Sequence, residues 1–173
     1  MAKKRKRPPK KSRQQISKNL GERSLAFLKA VGFADIKASH ESVYVGDKYF
    51  ITQCPYLTPY DKYAEKPLGS KVDAVIVSGN DRIMVEVKYQ NDTGTVDEKW
   101  PFIFACFAAN ASATEYVLLH DGEWWNRNRG AAIVKWGLAE AKAFEHRHGK
   151  KVHVINFEGW CEFVRFRFGM PQD

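Results

Sequence analysis

The chain has 173 residues, of which 44% are hydrophobic and 28% charged, with a formal net charge of +8; that suits one domain with a real core plus a tail. No apolar run approaches the roughly 18 residues of a membrane span and the N-terminus lacks the apolar stretch of a secretory signal, so a cytoplasmic or nuclear protein with no membrane partner is expected. Three dispersed cysteines (Cys54, Cys106, Cys161) with no CxxC pair argue against a disulfide framework or a structural zinc and read as buried free thiols.

The charge sits at one end. Residues 1–13 hold eight bases (Lys3, Lys4, Arg5, Lys6, Arg7, Lys10, Lys11 and Arg13) and no acid; removing them from the 28 Lys and Arg leaves 20 against 20 Asp and Glu. Such a block repels itself and has nothing apolar to bury, so residues 1–14 are expected as a disordered basic tail and 15–173 as the folded domain. Its natural partner is a polyanion, nucleic acid first, with a nuclear address or solubilising arm as the other use.

From there helices and strands alternate. Leu20, Ser24, Phe27, Leu28 and Val31 recur at helical spacing over Gln15–Val31, and Gly32 ends the helix. Ser42–Val45 and Lys48–Gln53 read as strands joined by Gly46-Asp47. Cys54–Lys71, with Pro55, Pro59, Pro67 and Gly69, is a long irregular stretch of the kind that is functional or mobile. Val72–Val77 and Arg82–Val87 are strands around a Ser78–Asp81 turn. Helices follow at Trp100–Asn110 and Ala131–His148, and strands at Glu115–Leu119 and Val152–Ile155. Phe157–Phe168 fits both a strand and a helix, and is read as a helix. This order predicts an α/β fold, a mixed β-sheet flanked by helices.

The chemistry concentrates on the central hairpin. Glu86, Lys88 and Gln90 are spaced by two, so a strand points all three to one face, where they interrupt a run of Ile, Val and Met. Asp73 begins the preceding strand, and pairing across the turn can bring it beside Glu86. Two neighbouring carboxylates repel, and a divalent cation relieves that; hard oxygen ligands favour Mg²⁺ or Mn²⁺. Lys88 is then placed to stabilise charge growing on a phosphate. Alone, E-x-K is common on exposed strands as a solvated, weakly paired face; the preceding Asp, the hairpin and the basic tail set this instance apart.

Asp73 followed by Glu86-Val87-Lys88 on a hairpin, with a helix before and after, resembles the PD-(D/E)XK nuclease superfamily and its restriction-endonuclease-like core. Val72 replaces the proline that gives the motif its name. The resemblance implies metal binding by Asp73, Glu86 and the Val87 carbonyl, with Lys88 acting in the attack on phosphate. The run Gln90-Asn91-Asp92-Thr93-Gly94-Thr95-Val96-Asp97-Glu98-Lys99 is similar to a segment that follows E-x-K in some restriction-like and phage-borne nucleases, which makes Gln90 and Lys99 candidates near the metal and the phosphate backbone; Thr95 and Glu98 also have capping-box spacing. Some members, archaeal Holliday-junction resolvases among them, carry a glutamate on the first helix near the metals. Glu22 is the counterpart, although it lies about 180° from the apolar stripe, as a surface carboxylate would. His40 and Glu41 precede a strand and are within plausible reach. His146 and His148 face different ways at a helix end and read as surface residues.

Tyr56, Tyr60 and Tyr63 interleaved with Lys62, Lys66 and Lys71 suit nucleic acid. Trp124 and Trp125 read as packing residues, and Arg127 and Arg129 as phosphate contacts. The expected function is a metal-dependent DNA endonuclease of restriction, homing, repair or junction-resolving type, RNA not being excluded as substrate. The alternative is a non-catalytic nucleic-acid-binding or assembly protein with a basic arm. Double-strand cleavage by this fold implies a homodimer, for which the sequence carries no signature of its own.

Overall fold

The computed structural model describes residues 13–44, 46–91, 95 and 97–169. Lys3, Lys4, Arg5, Lys6, Arg7, Lys10 and Lys11 lie outside the described residues, as do Val45 and part of the run after Gln90 (92–94 and 96).

Six strands form one mixed sheet in chain order: β1 (Ala34–Ile36), β2 (Lys48–Pro55), β3 (Lys71–Ser78), β4 (Asp81–Tyr89), β5 (Glu115–Asp121) and β6 (Lys151–Ile155). The β2–β3 and β3–β4 pairs are antiparallel; β1–β2, β4–β5 and β5–β6 are parallel. The helices are α1 (Arg13–Ala30), α2 (Trp100–Ala109), α3 (Asn128–His148) and α4 (Phe157–Phe168). This is the α/β fold that the order of elements predicts, a mixed sheet flanked by helices.

Strand alternation divides the apolar side chains between two cores. On one face Ile51, Val75, Met84, Tyr116 and Leu118 pack against Trp100, Phe104 and Phe107 of α2 and Phe144 of α3. On the other, Phe50, Ile76, Ile83, Val85, Val117 and Leu119 meet Leu20 and Leu28 of α1 and Trp160 and Val164 of α4. The helical stripe of α1 is thereby used as its spacing predicts, and Gly32 closes the helix at φ +92°. All three cysteines are free, with Cys54 and Cys106 buried. Among the described residues no helix is long and apolar enough to cross a membrane.

One segment departs from the sequence expectation. Of the strand expected at Ser42–Val45, the described residues 42–44 are not a strand: Ala38–Val43 forms a 3₁₀ turn, and Gly46-Asp47 does not close a hairpin. The partner of β2 on that side is β1, three residues that are too short to show a period. Side chains hold the turn instead of a ladder. Glu41 pairs with the Arg82 guanidinium and accepts from the Tyr49 hydroxyl at 3.3 Å. That commitment places Glu41 at the turn end of the β3–β4 hairpin, away from Glu86, while His40 is exposed beside Asp35–Lys37. Neither joins the candidate site.

Candidate active site

The β3–β4 ladder runs from Ser78↔Asp81 at the turn to Ala74↔Val85 and stops there. Beyond it Asp73 Oδ2 accepts a hydrogen bond from Val87 N at 2.8 Å, so a side chain takes the place of the next backbone carbonyl. The strands separate at the residues that carry the charges. β4 meanwhile stays paired with β5 as far as Tyr89↔Asp121, which keeps Glu86 and Lys88 on one face.

Val87 lies at the centre of the group. Its amide holds Asp73, and its carbonyl accepts from Lys88 Nζ at 3.3 Å. Lys88 Nζ is also ion-paired with Glu86 Oε1, and both side chains are largely buried, 17% and 14% exposed. Burial raises the Glu86 pKa; the Lys88 ammonium pulls it down, and the charge of Asp73 pushes it up further. The lysine therefore leaves the two carboxylates short of positive charge. Nearby, the Tyr56 hydroxyl has its pKa raised, first by burial, then by Cys106, Glu86 and Asp73.

Glu22 is exposed, as its place on α1 predicts, yet it does not face open solvent alone. With Asp73, Gln53, Thr52 and Val87 it lines a cavity of about 240 Å³ between α1 and the sheet, whose deeper wall is apolar. Gln90 continues the face of Glu86 and Lys88. Its side chain is 6% exposed, and neither amide atom has a hydrogen-bond partner among the described residues. Its backbone is fixed at both ends: Gln90 N donates to Asp121 O at 3.0 Å, and Gln90 O accepts from Trp124 N at 3.3 Å. Gly122, at φ +116°, permits this closeness, since a Cβ there would lie 2.3 Å from Gln90 O.

His120 belongs to this neighbourhood, and sequence reasoning passes over it. It pairs in register with Lys88 across β4–β5, is 9% exposed, and packs against the rings of Trp100 and Trp125 at 5.8 and 5.5 Å. Burial lowers its pKa to about 4, against a smaller opposing effect of Asp121, so the imidazole is neutral near pH 7. The available signal was a lone histidine ending an apolar strand, Tyr116-Val117-Leu118-Leu119-His120.

Lys99, Arg127 and Arg129, the proposed phosphate contacts whose side chains are described, are surface residues. Lys99 is exposed at the end of a 3₁₀ turn (Asp97–Lys99). Arg127 and Arg129 are exposed where α3 begins, 3.9 Å from Glu123 and 4.0 Å from Glu98 respectively; the second distance brings the turn carrying Lys99 beside the start of α3. Arg13 opens α1. Trp124 and Trp125 are buried packing residues, Tyr60 and Tyr63 are exposed, and Tyr56 is half-buried.

Among the described residues no three His, Cys, Asp or Glu side chains converge tightly enough to form a metal site by themselves. The donors gathered here are instead two carboxylates and a backbone carbonyl, with Glu22 at the rim of the adjoining cavity. All are hard oxygen donors, and the single Lys88 ammonium beside Glu86 does not balance both Asp73 and Glu86, so the set fits a small divalent cation. A family model described as a PD-(D/E)XK nuclease superfamily domain matches residues 10–167. A comparison with curated proteins gives no match.

Proposed function

The chain belongs to the PD-(D/E)XK nuclease superfamily, and on that footing we propose that it is a metal-dependent endonuclease hydrolysing DNA phosphodiester bonds through Asp73, Glu86 and Lys88. The observation that supports this most is the grouping at Val87: its amide engages Asp73, its carbonyl engages Lys88, and Lys88 is paired with Glu86. A solvated E-x-K strand would leave its side chains exposed and Asp73 uninvolved.

Asp73, Glu86 and the Val87 carbonyl would hold Mg²⁺ or Mn²⁺, with Glu22 as a further carboxylate from α1. Such an ion supplies Lewis-acid polarisation of the phosphate and lowers the pKa of a bound water. The chain's own part is positional and electrostatic. Lys88 keeps a largely buried ammonium where negative charge develops on the phosphate, and low exposure strengthens that interaction. Gln90 supports the same face from a fixed backbone. Lys99, Arg127, Arg129 and the basic residues 3–13 contact the phosphate backbone and set register and non-specific affinity rather than chemistry. Cutting both strands at one place takes a second copy of the chain, and the protein works in the cytoplasm, or in the nucleus where the tail acts as an address.

Supercoiled plasmid incubated with the protein and Mg²⁺ or Mn²⁺ is expected to be nicked or linearised, and to stay intact in EDTA. Cleavage that persists in EDTA would contradict the reading. So would intact DNA and intact RNA under every divalent cation, which would leave a binding protein.

A further inference from the structure

Gln53 has a backbone conformation that its side chain does not favour. At φ +51° it is the one non-glycine residue in the left-handed region among the described residues. In an L-residue that region crowds Cβ against the backbone, and glycine or asparagine is the usual occupant. The position is not a loop tip but the interior of β2. The β2–β3 ladder pairs Thr52 with Ala74 and Cys54 with Val72, and skips Gln53 opposite Asp73.

The kink turns the strand over. Residues two apart in a regular strand share a face. Here Thr52 lines the cavity beside α1 with Ala74, whereas Cys54 and Val72 are buried in the core on the α2–α3 face. Gln53 and Asp73 stand opposite one another where the faces exchange, and both line the 240 Å³ cavity, with Glu22. Beside the hydroxyls of Thr52 and Ser24, the polar lining therefore holds two carboxylates and one amide, and the amide is carried on strained backbone. Strain of this kind persists where the surroundings over-determine it, and clusters at functional sites.

We infer that Gln53 is a substrate-contacting residue of this site, donating its side-chain amide to a phosphate oxygen of the nucleic acid at the cavity rim; this rests on the nuclease reading. The chemistry suits the place. A phosphodiester arriving beside Asp73 and Glu22 needs donors as well as a cation. A lysine or arginine there would pair with the carboxylates and compete with a metal. A carboxamide offers two N–H donors without a charge, so it can bind phosphate without forming an ion pair with either carboxylate.

Gln53→Gly separates backbone from side chain. Glycine takes φ near +51° without cost from a Cβ, so the variant keeps the kink and should melt no lower than the wild type, strain relief offsetting the looser unfolded chain. Affinity for a short DNA duplex, measured in Ca²⁺ to separate binding from turnover, should fall about tenfold, as loss of a hydrogen bond to a charged group implies. The rise in melting temperature on adding Mn²⁺ should not change. Gln53→Asn, which tolerates the left-handed region and keeps a carboxamide, should recover part of the affinity. A folded Gln53→Gly protein that binds the duplex within twofold of wild type would overturn the inference and make the kink purely architectural. Loss of the Mn²⁺ response would also overturn it, placing Gln53 at the metal instead. A wild-type protein that binds duplex but never cuts would sink the nuclease reading alone, and the duplex affinities would still decide Gln53.

Discussion

At Asp73 a side chain accepts the bond that a strand carbonyl would have taken from Val87 N, and the site depends on that substitution. Its residues differ in how far the sequence discloses them. Glu86, Lys88 and Gln90 are legible because a period of two needs only a strand, and Asp73 because a short turn fixes what lies across from it. Glu22 is reached only through the family resemblance and Gln53 not at all, since their nearness to Asp73 depends on how α1 seats and on one backbone angle. His120 hides because a lone histidine in an apolar strand usually serves packing. Lys88→Ala is expected to lower kcat by about 10²–10³-fold while leaving duplex affinity nearly unchanged, as for a charge that matters most in the transition state; equal losses in single-turnover rate and in binding would argue against that role. His120 carries a pH signature. Its folded pKa, about 4, lies below the usual value of 6.5, so between these values the unfolded chain binds the extra proton. Stability unaffected by this group above about pH 6.5 should fall as the pH drops toward 4, by about 3 kcal/mol in all. Urea titrations of His120→Phe should show a shallower decline over that window; an identical decline would place the titration elsewhere.

Among the elements, those with long runs of one period follow the sequence: α1, α2, α3, β3 and β4 all lie within a few residues of their expected bounds. The failures lie at 34–47, where β1 is three residues long and the 3₁₀ turn is held by Glu41 reaching to Arg82 and Tyr49, pairings that no local pattern announces. The stretch after β2 is anchored in a similar way. The Asn110 side chain accepts from Leu57 N at 2.9 Å and donates to Leu57 O and Cys106 O at 2.7 Å each, which ties the loop to the end of α2. Asn110→Ala strands these groups and should cost about 2–3 kcal/mol, with earlier proteolysis between residues 56 and 70; a loss below about 0.5 kcal/mol would mean that water replaces the amide. Where α3 crosses α2, a Cβ on Gly137 would sit 2.4 Å from the Trp100 ring. Alanine is favoured over glycine inside a helix by about 1 kcal/mol, but overpacking costs about 1–3 kcal/mol. Gly137→Ala is therefore expected to lower the melting temperature, and a rise would show that the ring yields.

The whole molecule pairs a formally neutral body with a strongly basic N-terminal block, a division visible in the composition alone. The superfamily match covers residues 10–167, so most of that block lies outside it. If the block supplies non-specific affinity, deleting residues 2–12 should flatten the dependence of log K on log salt. The limit is about 6 units, at about 0.9 for each phosphate that is no longer neutralised. Single-turnover cleavage at saturating protein should stay nearly constant. An unchanged slope would leave DNA binding to Lys99, Arg127, Arg129 and the tyrosine-bearing loop, and make the block an address. On the proposed function, what the molecule does turns on Asp73 and Glu86. The most direct measurement is plasmid cleavage in Mg²⁺ by the wild-type protein beside Asp73→Asn and Glu86→Gln, with melting and duplex binding recorded on the same samples. Cleavage by the wild type alone, from three proteins that fold and bind duplex, is the predicted result; full cleavage by Asp73→Asn would contradict the assignment of the site.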